Sequence, residues 1–355
     1  MFISRSQRSR RPGLIRVLVA GLAIALSISV SGQAAAQTPA QFVAENESSH
    51  SKQMEWWYVT GHLKGKDPSG NVREYGIQST LFKNHPAWGL DGYAHHMAVT
   101  DLQRGTYTQG NKNGAGFTDD PSGGGFDIGL EGWTFKGKDG NNRVAGNVNW
   151  GDYILDIRTS ANKPAALHGG DGFVEFAPFD DSGYYSWTGL DVSGTVNDHG
   201  TVVTITGGEA WMDHQWFDGG TTAGWDWYSI QLDNGTDFMV FLVKGPNGSY
   251  STKFGTRVEP NGKTTELSAS ELSMTPIGSW KSPRSNRTYT SGWEVTVPGG
   301  RFTITPKQLD QESNLAVPNL DYWEGAATVT GTVDGKAVTG KSYTEITPVQ
   351  CLCGF

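Results

Sequence analysis

The sequence predicts an all-β protein made of two similar antiparallel halves, and three observations carry that prediction. First, 48 glycines and 40 aromatic residues (13 Trp, 12 Tyr, 15 Phe) accompany many short Val/Thr/Ile runs set between Gly/Asn/Asp turns, with no long helical periodicity after residue 36. Second, the aromatic string Glu55-Trp56-Trp57-Tyr58-Val59-Thr60-Gly61-His62-Leu63 is echoed by Trp225-Asp226-Trp227-Tyr228-Ser229-Ile230-Gln231-Leu232. Third, Tyr185 precedes Val192-Ser193-Gly194-Thr195-Val196 by the same interval as Tyr322 precedes Val329-Thr330-Gly331-Thr332-Val333. Internal duplication of this kind predicts one architecture used twice.

The elements follow in order. Residues 1–36 carry Arg5, Arg8, Arg10, Arg11 and Arg16, an apolar run from Val17 to Val30, and Ala34-Ala35-Ala36. Basic, apolar and small-residue regions in that order make a secretory signal peptide cleaved near Ala36, so the protein is expected outside the cytoplasm, secreted or periplasmic. The apolar run falls short of the ~20 residues of a membrane span, and no stable membrane insertion is expected after cleavage. The first half occupies 37–218. It opens with the strand from Glu55, continues through apolar strands at Tyr75 to Lys83 and Tyr93 to Asp101, and closes with Gly208-Glu209-Ala210-Trp211-Met212-Asp213. A Gly-rich junction, Asp218 to Gly224, leads to the second half, 219–350, which repeats the pattern from Trp225 through Phe238 to Lys244 and closes with Gly340-Lys341-Ser342-Tyr343-Thr344-Glu345. Residues 351–355, with both cysteines (Cys351 and Cys353), read as a tail without a catalytic role.

The net charge of -8 becomes about -13 once the five signal-peptide arginines are gone. An acidic chain of this kind is a poor partner for nucleic acid or anionic membranes.

Side chains alternate between the faces of a strand. From Glu55, one face carries Glu55, Trp57, Val59 and Leu63, and the other Trp56, Tyr58, Thr60 and His62; either can point inward. Of the adjacent His95 and His96, one should see the interior, as a proton carrier or polar anchor, or as a hydrogen-bonded histidine in a barrel wall. In Met212-Asp213-His214-Gln215-Trp216, an Asp beside a His suggests an acid/base pair. Regular alternation separates Asp213 from His214 and puts His214 with Trp216, whereas a bulge or strand end would bring both to a cavity. Asp226 and Tyr228 share one face and Trp225 and Trp227 the other; a carboxylate among tryptophans needs partners.

Other chemistries leave no signature: there is no G-x-S-x-G elbow, H-E-x-x-H, Walker loop or dinucleotide fingerprint. A metal centre drawn from His62, His95 or His96, Asp213 and His214 has no ligand spacing to announce it, so no metal and no other cofactor is expected.

These motifs resemble the hydroxyneurosporene synthase, or carotenoid 1,2-hydratase-like, group of lipocalin-like proteins, which includes kievitone hydratase. The matching pieces are His50 with the Glu55–Leu63 string, Tyr93-Ala94-His95 through Asp101, Met212 to Trp216, Trp225-Asp226-Trp227 with Gln231-Leu232, and Tyr322-Trp323-Glu324-Gly325 through Gly340 to Thr347. The chain departs from the pattern at Gln215, where Glu is frequent, and at Phe217, where Gly is frequent. The resemblance implies two tandem lipocalin-like antiparallel β-barrels with a ligand cavity near their junction. It implies a cofactor-independent hydratase adding water to an isoprenoid or prenylated compound, with lipocalin-like cyclases (pericyclases) and a non-catalytic carrier of lipophilic ligands as alternatives. His214 and Trp216 carry over onto the hydratases' His and Trp, and Asp226 and Tyr228 are candidates for their downstream acid and tyrosine. His214 or a protonated Asp213 would give the proton to the alkene. Trp216, Trp57 and Trp227 would surround the cation, with Tyr58, Glu55 and His95 completing the substrate cavity.

Overall fold

The computed structural model describes residues 37–86, 89–116, 121–176, 181–219, 222–314 and 321–351, so the expected export signal and Cys353 lie outside the described residues. A short helix, α1 (Pro39–Asn46), comes first. Its capping box pairs the Thr38 hydroxyl with the Gln41 N–H and the Gln41 side chain with the Thr38 N–H, and proline occupies its first turn. Phe42 and Val43 bury one side of α1 in the first core.

The first sheet is built from β1 (Met54–Lys66), β2 (Val72–Asn84), β3 (Asp91–Asp101), β4 (Thr106–Gly116), β5 (Phe126–Leu130), β6 (Trp133–Lys138), β7 (Asn141–Val148), β8 (Tyr153–Ala161), β9 (Ala166–Leu167), β10 (Phe173–Val174), β11 (Ser182–Asp198) and β12 (Thr201–Phe217). Their order is β4-β3-β2-β1-β12-β11-β8-β7-β6-β5, with β9 and β10 on β11. This sheet curls until its edges nearly meet. A Cβ on Gly114 of β4 would stand 2.7 Å from the Leu130 side chain of β5, and one on Gly110 would stand 3.3 Å from Trp133, so glycine is what lets the edges approach.

The second sheet contains β13 (Thr222–Leu232), β14 (Asp237–Lys244), β15 (Tyr250–Val258), β16 (Thr264–Leu267), β17 (Ser273–Pro276), β20 (Trp293–Val297), β21 (Gly300–Pro306), β22 (Glu312–Ser313), β23 (Tyr322–Val333) and β24 (Lys336–Cys351); β18 (Ser279–Lys281) and β19 (Thr288–Thr290) pair separately. Its order is β16-β15-β14-β13-β24-β23-β21-β20-β17, with β22 on β23, and it curls into a half-barrel. These are tandem lipocalin-like sheets. The last strand runs through Cys351, which pairs with Thr222, one residue into the expected tail. No helix among the described residues is long and apolar enough to cross a membrane.

The sheets pack back to back, and both faces of their central strands are therefore covered. On β1, every residue from Met54 to Leu63 is buried. Trp57, Val59 and Leu63 enter the first sheet's core, whereas Met54, Trp56 and Tyr58 join Trp211, Phe217, Trp225, Trp227 and Tyr343 in a core between the sheets. The sheets approach closely at Gly76 of β2, where an added Cβ would lie 2.8 Å from that of Ala326 on β23.

The duplication is real but slipped by one residue from the aromatic echo. Gly208 stands opposite Leu63, and Gly340 opposite Leu232. That register makes Trp56 and Tyr58 the counterparts of Trp225 and Trp227, whereas matching the Trp-Tyr dipeptides would pair Trp57 and Tyr58 with Trp227 and Tyr228. A one-residue slip changes the face: Trp57 lies inside the first sheet and Trp227 between the sheets. The tyrosine echo slips for a related reason. Pairing of β11 with β12 shifts between Trp187 and Leu190, whereas β23 pairs with β24 without a shift. Tyr185 therefore faces the first core, while Tyr322 faces the interface, hydrogen-bonded by Gln78 of β2 at 2.9 Å.

Candidate functional site

The ten residues singled out by sequence are all buried, but they divide among three places. β1 and β12 pair without a shift from Met54↔Phe217 to Lys64↔Gly207, so no bulge brings Asp213 and His214 together. Asp213, Tyr58 and Trp227 meet between the sheets. Glu55, Trp57, His95, His214 and Trp216 lie inside the first sheet, and Asp226 and Tyr228 inside the second. There Asp226 takes hydrogen bonds from Lys244 and Tyr250, and Tyr228 packs on Trp293. Asp226 and Tyr228 thus do not share a chamber with His214, because their strand turns its tryptophans, not its acid, toward the first sheet.

Between the sheets lies a cavity lined by Trp56, Tyr58, Thr80, Phe82, Asp213, Gln215, Trp225, Trp227, Phe241, Tyr322 and Glu345. Its volume is about 20 Å³, enough to hold a water. Two carboxyls, Asp213 and Glu345, line the cavity, and a third, Glu324, stands next to Glu345. Asp213 accepts hydrogen bonds from Tyr184 at 2.6 Å, from Trp211 Nε1 at 2.6 Å and from Ser186, and Tyr184 in turn accepts one from Trp227 Nε1 at 3.0 Å. Burial pushes the Asp213 carboxyl up to about 6 even against those three donors. On the second sheet, Glu324 and Glu345 stand directly opposite each other on β23 and β24. Two carboxylates in that position repel each other in a low-dielectric setting, so one stays protonated. Burial pushes Glu345 up to about 7, with the Asp213 and Asp226 charges adding to the rise. Burial, then the Glu345 charge, holds Glu324 well above the carboxylate range although Tyr58 donates to it. Indole and phenyl rings surround the acids: Trp56 stacks on Trp225 at 6.3 Å, and Tyr58 meets Trp227 edge-on at 5.3 Å.

His214 is on the other side of the same strand. It is fully buried, with Nε2 2.9 Å from Glu55 Oε1 and Nδ1 3.3 Å from the Tyr185 hydroxyl. Burial lowers it to about 4, while hydrogen bonds from His214 and His50 overcome burial at Glu55 and lower that carboxyl to about 2. The pair is a carboxylate accepting from a neutral imidazole. Trp57 stacks on His214 at 4.7 Å, and Trp216 stacks on His50 at 4.0 Å.

The adjacent histidines part in the same way, and both are buried since both faces are covered. His95 meets Ser79 at 2.9 Å inside the first sheet, and His96 meets the Tyr322 hydroxyl at 3.2 Å at the interface. His62 sits 3.1 Å from the Ser342 carbonyl. The metal set drawn from His62, His95 or His96, Asp213 and His214 is therefore not assembled.

Sequence reasoning passed over Glu324, Glu345 and Tyr184. A signal for Glu345 existed: the echoed closing strands place Asp213 and Glu345 at corresponding positions, and the back-to-back packing brings both to one cavity.

An all-β architecture of paired lipocalin-like sheets with an acid-lined cavity between them defines the class of protein. A sequence profile described as AttH-like matches residues 33–348, and the chain belongs to that family. Among solved structures, a putative AttH from Nitrosomonas europaea is similar at 31% identity and TM-score 0.74, over 90% of this chain and 99% of that one. Kievitone hydratase from Nectria haematococca shares the fold at 20% identity and TM-score 0.68, over 82% of this chain and 88% of that one. CghA with Sch210972 does so at 14% identity and TM-score 0.53, over 84% and 89%. No curated protein sequence matches the chain.

Proposed function

We propose that this protein is an exported, cofactor-independent hydratase that adds water to a carbon–carbon double bond of a hydrophobic isoprenoid or prenylated compound at the cavity between the sheets. The observation that carries the reading is the pair of opposed glutamates, Glu324 and Glu345, buried beside Asp213 among tryptophans. Alkene hydration needs a strong proton donor, aromatic faces for a transient cation, and one held water. The carboxyl that keeps its proton in the Glu324–Glu345 pair gives it to the less substituted alkene carbon. The cation formed rests against Trp56, Trp225 and Trp227. A water bonds to the cationic carbon and passes its spare proton to the Asp213 carboxylate, so one water is gained and the acids return to their starting state by proton exchange. Gln215 fits the water: its Nε2 donates to Ser182 at 2.9 Å, and its buried Oε1 has no protein partner. The kievitone hydratase likeness supports a hydratase on this fold. With only about 20 Å³ free, the substrate enters by displacing aromatic side chains at the cavity wall. In this reading His214 stiffens the strand that carries Asp213 and is not the proton donor.

The test is mass spectrometry of prenylated phenols and acyclic polyenes before and after exposure to the purified protein. The expected product is heavier by one water, and it vanishes with Glu345→Gln while Asp226→Asn retains it. A product of unchanged mass would mean cyclisation, and unmodified bound compound would mean a carrier; either defeats hydration.

A further inference from the structure

We infer that the first sheet holds a divalent transition-metal site of the zinc type, formed by His50, Glu55 and His214 and separate from the cavity between the sheets. One ligand atom from each of the three lies within 4.8 Å of the others, and it is Nδ1 of His50 and Nε2 of His214 that face the Glu55 carboxylate. Two imidazoles and one carboxylate are a donor set that suits zinc and its first-row neighbours.

The arrangement divides the two carboxylate oxygens. Both accept the His50 backbone N–H, at 3.1 and 3.0 Å, but only Oε1 faces both rings, at 2.8 Å from His50 and 2.9 Å from His214, whereas Oε2 takes Ser49 at 3.1 Å and the Lys83 ammonium at 3.3 Å. Oε1 is thus the ligand atom. A tetrahedral ion with bonds of ~2.0–2.2 Å requires each ring nitrogen to part from Oε1 by only about half an ångström.

The outer ring nitrogens supply a second, independent pointer. A metal-bound imidazole carries its proton on the far nitrogen and gives it to an acceptor. Asn46 donates its amide N–H to the Phe42 carbonyl at 2.9 Å, which turns its Oδ1 toward His50 Nε2 at 3.4 Å. His50 therefore stands between two acceptors, Asn46 Oδ1 and Glu55 Oε1, so a cation taking its inner Nδ1 leaves the Nε2 proton an acceptor in Asn46 Oδ1. The Tyr185 hydroxyl oxygen is placed in the same way behind His214. Rings fix both ligands, with Trp57 over His214 and Trp216 against His50. His50 is the partly exposed member and gives the ion its way in. The separation of His214 and Trp216 by one residue acquires a physical purpose: one ligates, and the other clamps the second ligand.

The experiment uses the full chain with Cys351→Ser and Cys353→Ser, so that terminal thiols contribute nothing. After chelation it is titrated with Zn²⁺ by calorimetry and with Co²⁺ by visible absorption, and its thermal midpoint is read with and without Zn²⁺. One equivalent bound, a raised midpoint, and weakening by more than about tenfold in both Glu55→Gln and His50→Ala are expected. His50 is partly exposed, so its substitution keeps the test meaningful if Glu55→Gln fails to fold. Absence of stoichiometric binding, or unchanged binding in His50→Ala, overturns the site. Neither outcome bears on Glu345→Gln and the hydration reading.

Discussion

Replacing Glu345 by Gln is expected to gain stability over the parent as pH rises, by about 3 kcal/mol between pH 4.5 and about pH 8. The folded-state carboxyl titrates at about 7 against an ordinary 4.5. Between those values the native state holds the proton that the unfolded chain has released, so stability contributed by this group is complete below 4.5 and is lost as pH rises through 7. Glutamine cannot ionise and escapes that loss. Urea unfolding followed by tryptophan fluorescence at several pH values measures it. A stability difference that does not change with pH would mean that Glu345 ionises in the ordinary carboxylate range and is not the acid that keeps its proton near pH 7.

Asp213→Asn is the second large effect. An asparagine keeps the shape but cannot take the proton of the attacking water, and turnover is expected to fall about 10²–10⁴-fold. In the parent, the rate requires Asp213 ionised, above about 6, and Glu345 protonated, below about 7. The pH profile is therefore a narrow bell, and the variant should lose its acid limb while keeping the alkaline one. An unchanged acid limb would assign that ionisation to another group.

The sequence made the all-β class and the doubled pattern legible, because turn glycines and alternating strands are local signals. The faces were harder to read. Alternation assumes one wet and one dry side, but β1 buries Met54 through Leu63 without interruption, since the second sheet covers what would be the outside. Both His95 and His96 are consequently interior, in different cores. The aromatic echo misled by one residue because tryptophan suits the first sheet's core at Trp57 and the interface at Trp227 equally well. Only the backbone pairing of Gly208 with Leu63 and Gly340 with Leu232 fixes the register. The family resemblance offered Asp226 as a partner for His214, but its Lys244 and Tyr250 partners are in the second sheet. Glu324 needed tertiary information: nothing near it in sequence shows that Tyr58 and Glu345 face it.

The most direct test is a carbon-13 NMR titration of labelled aspartate and glutamate carboxyls, with Glu345→Gln for assignment. The account predicts a carboxyl that titrates near pH 7 in the folded protein and disappears in the variant. If every glutamate, Glu324 and Glu345 included, titrates in the ordinary range of about 4 to 5, the cavity holds no proton to donate and the proposed chemistry is contradicted.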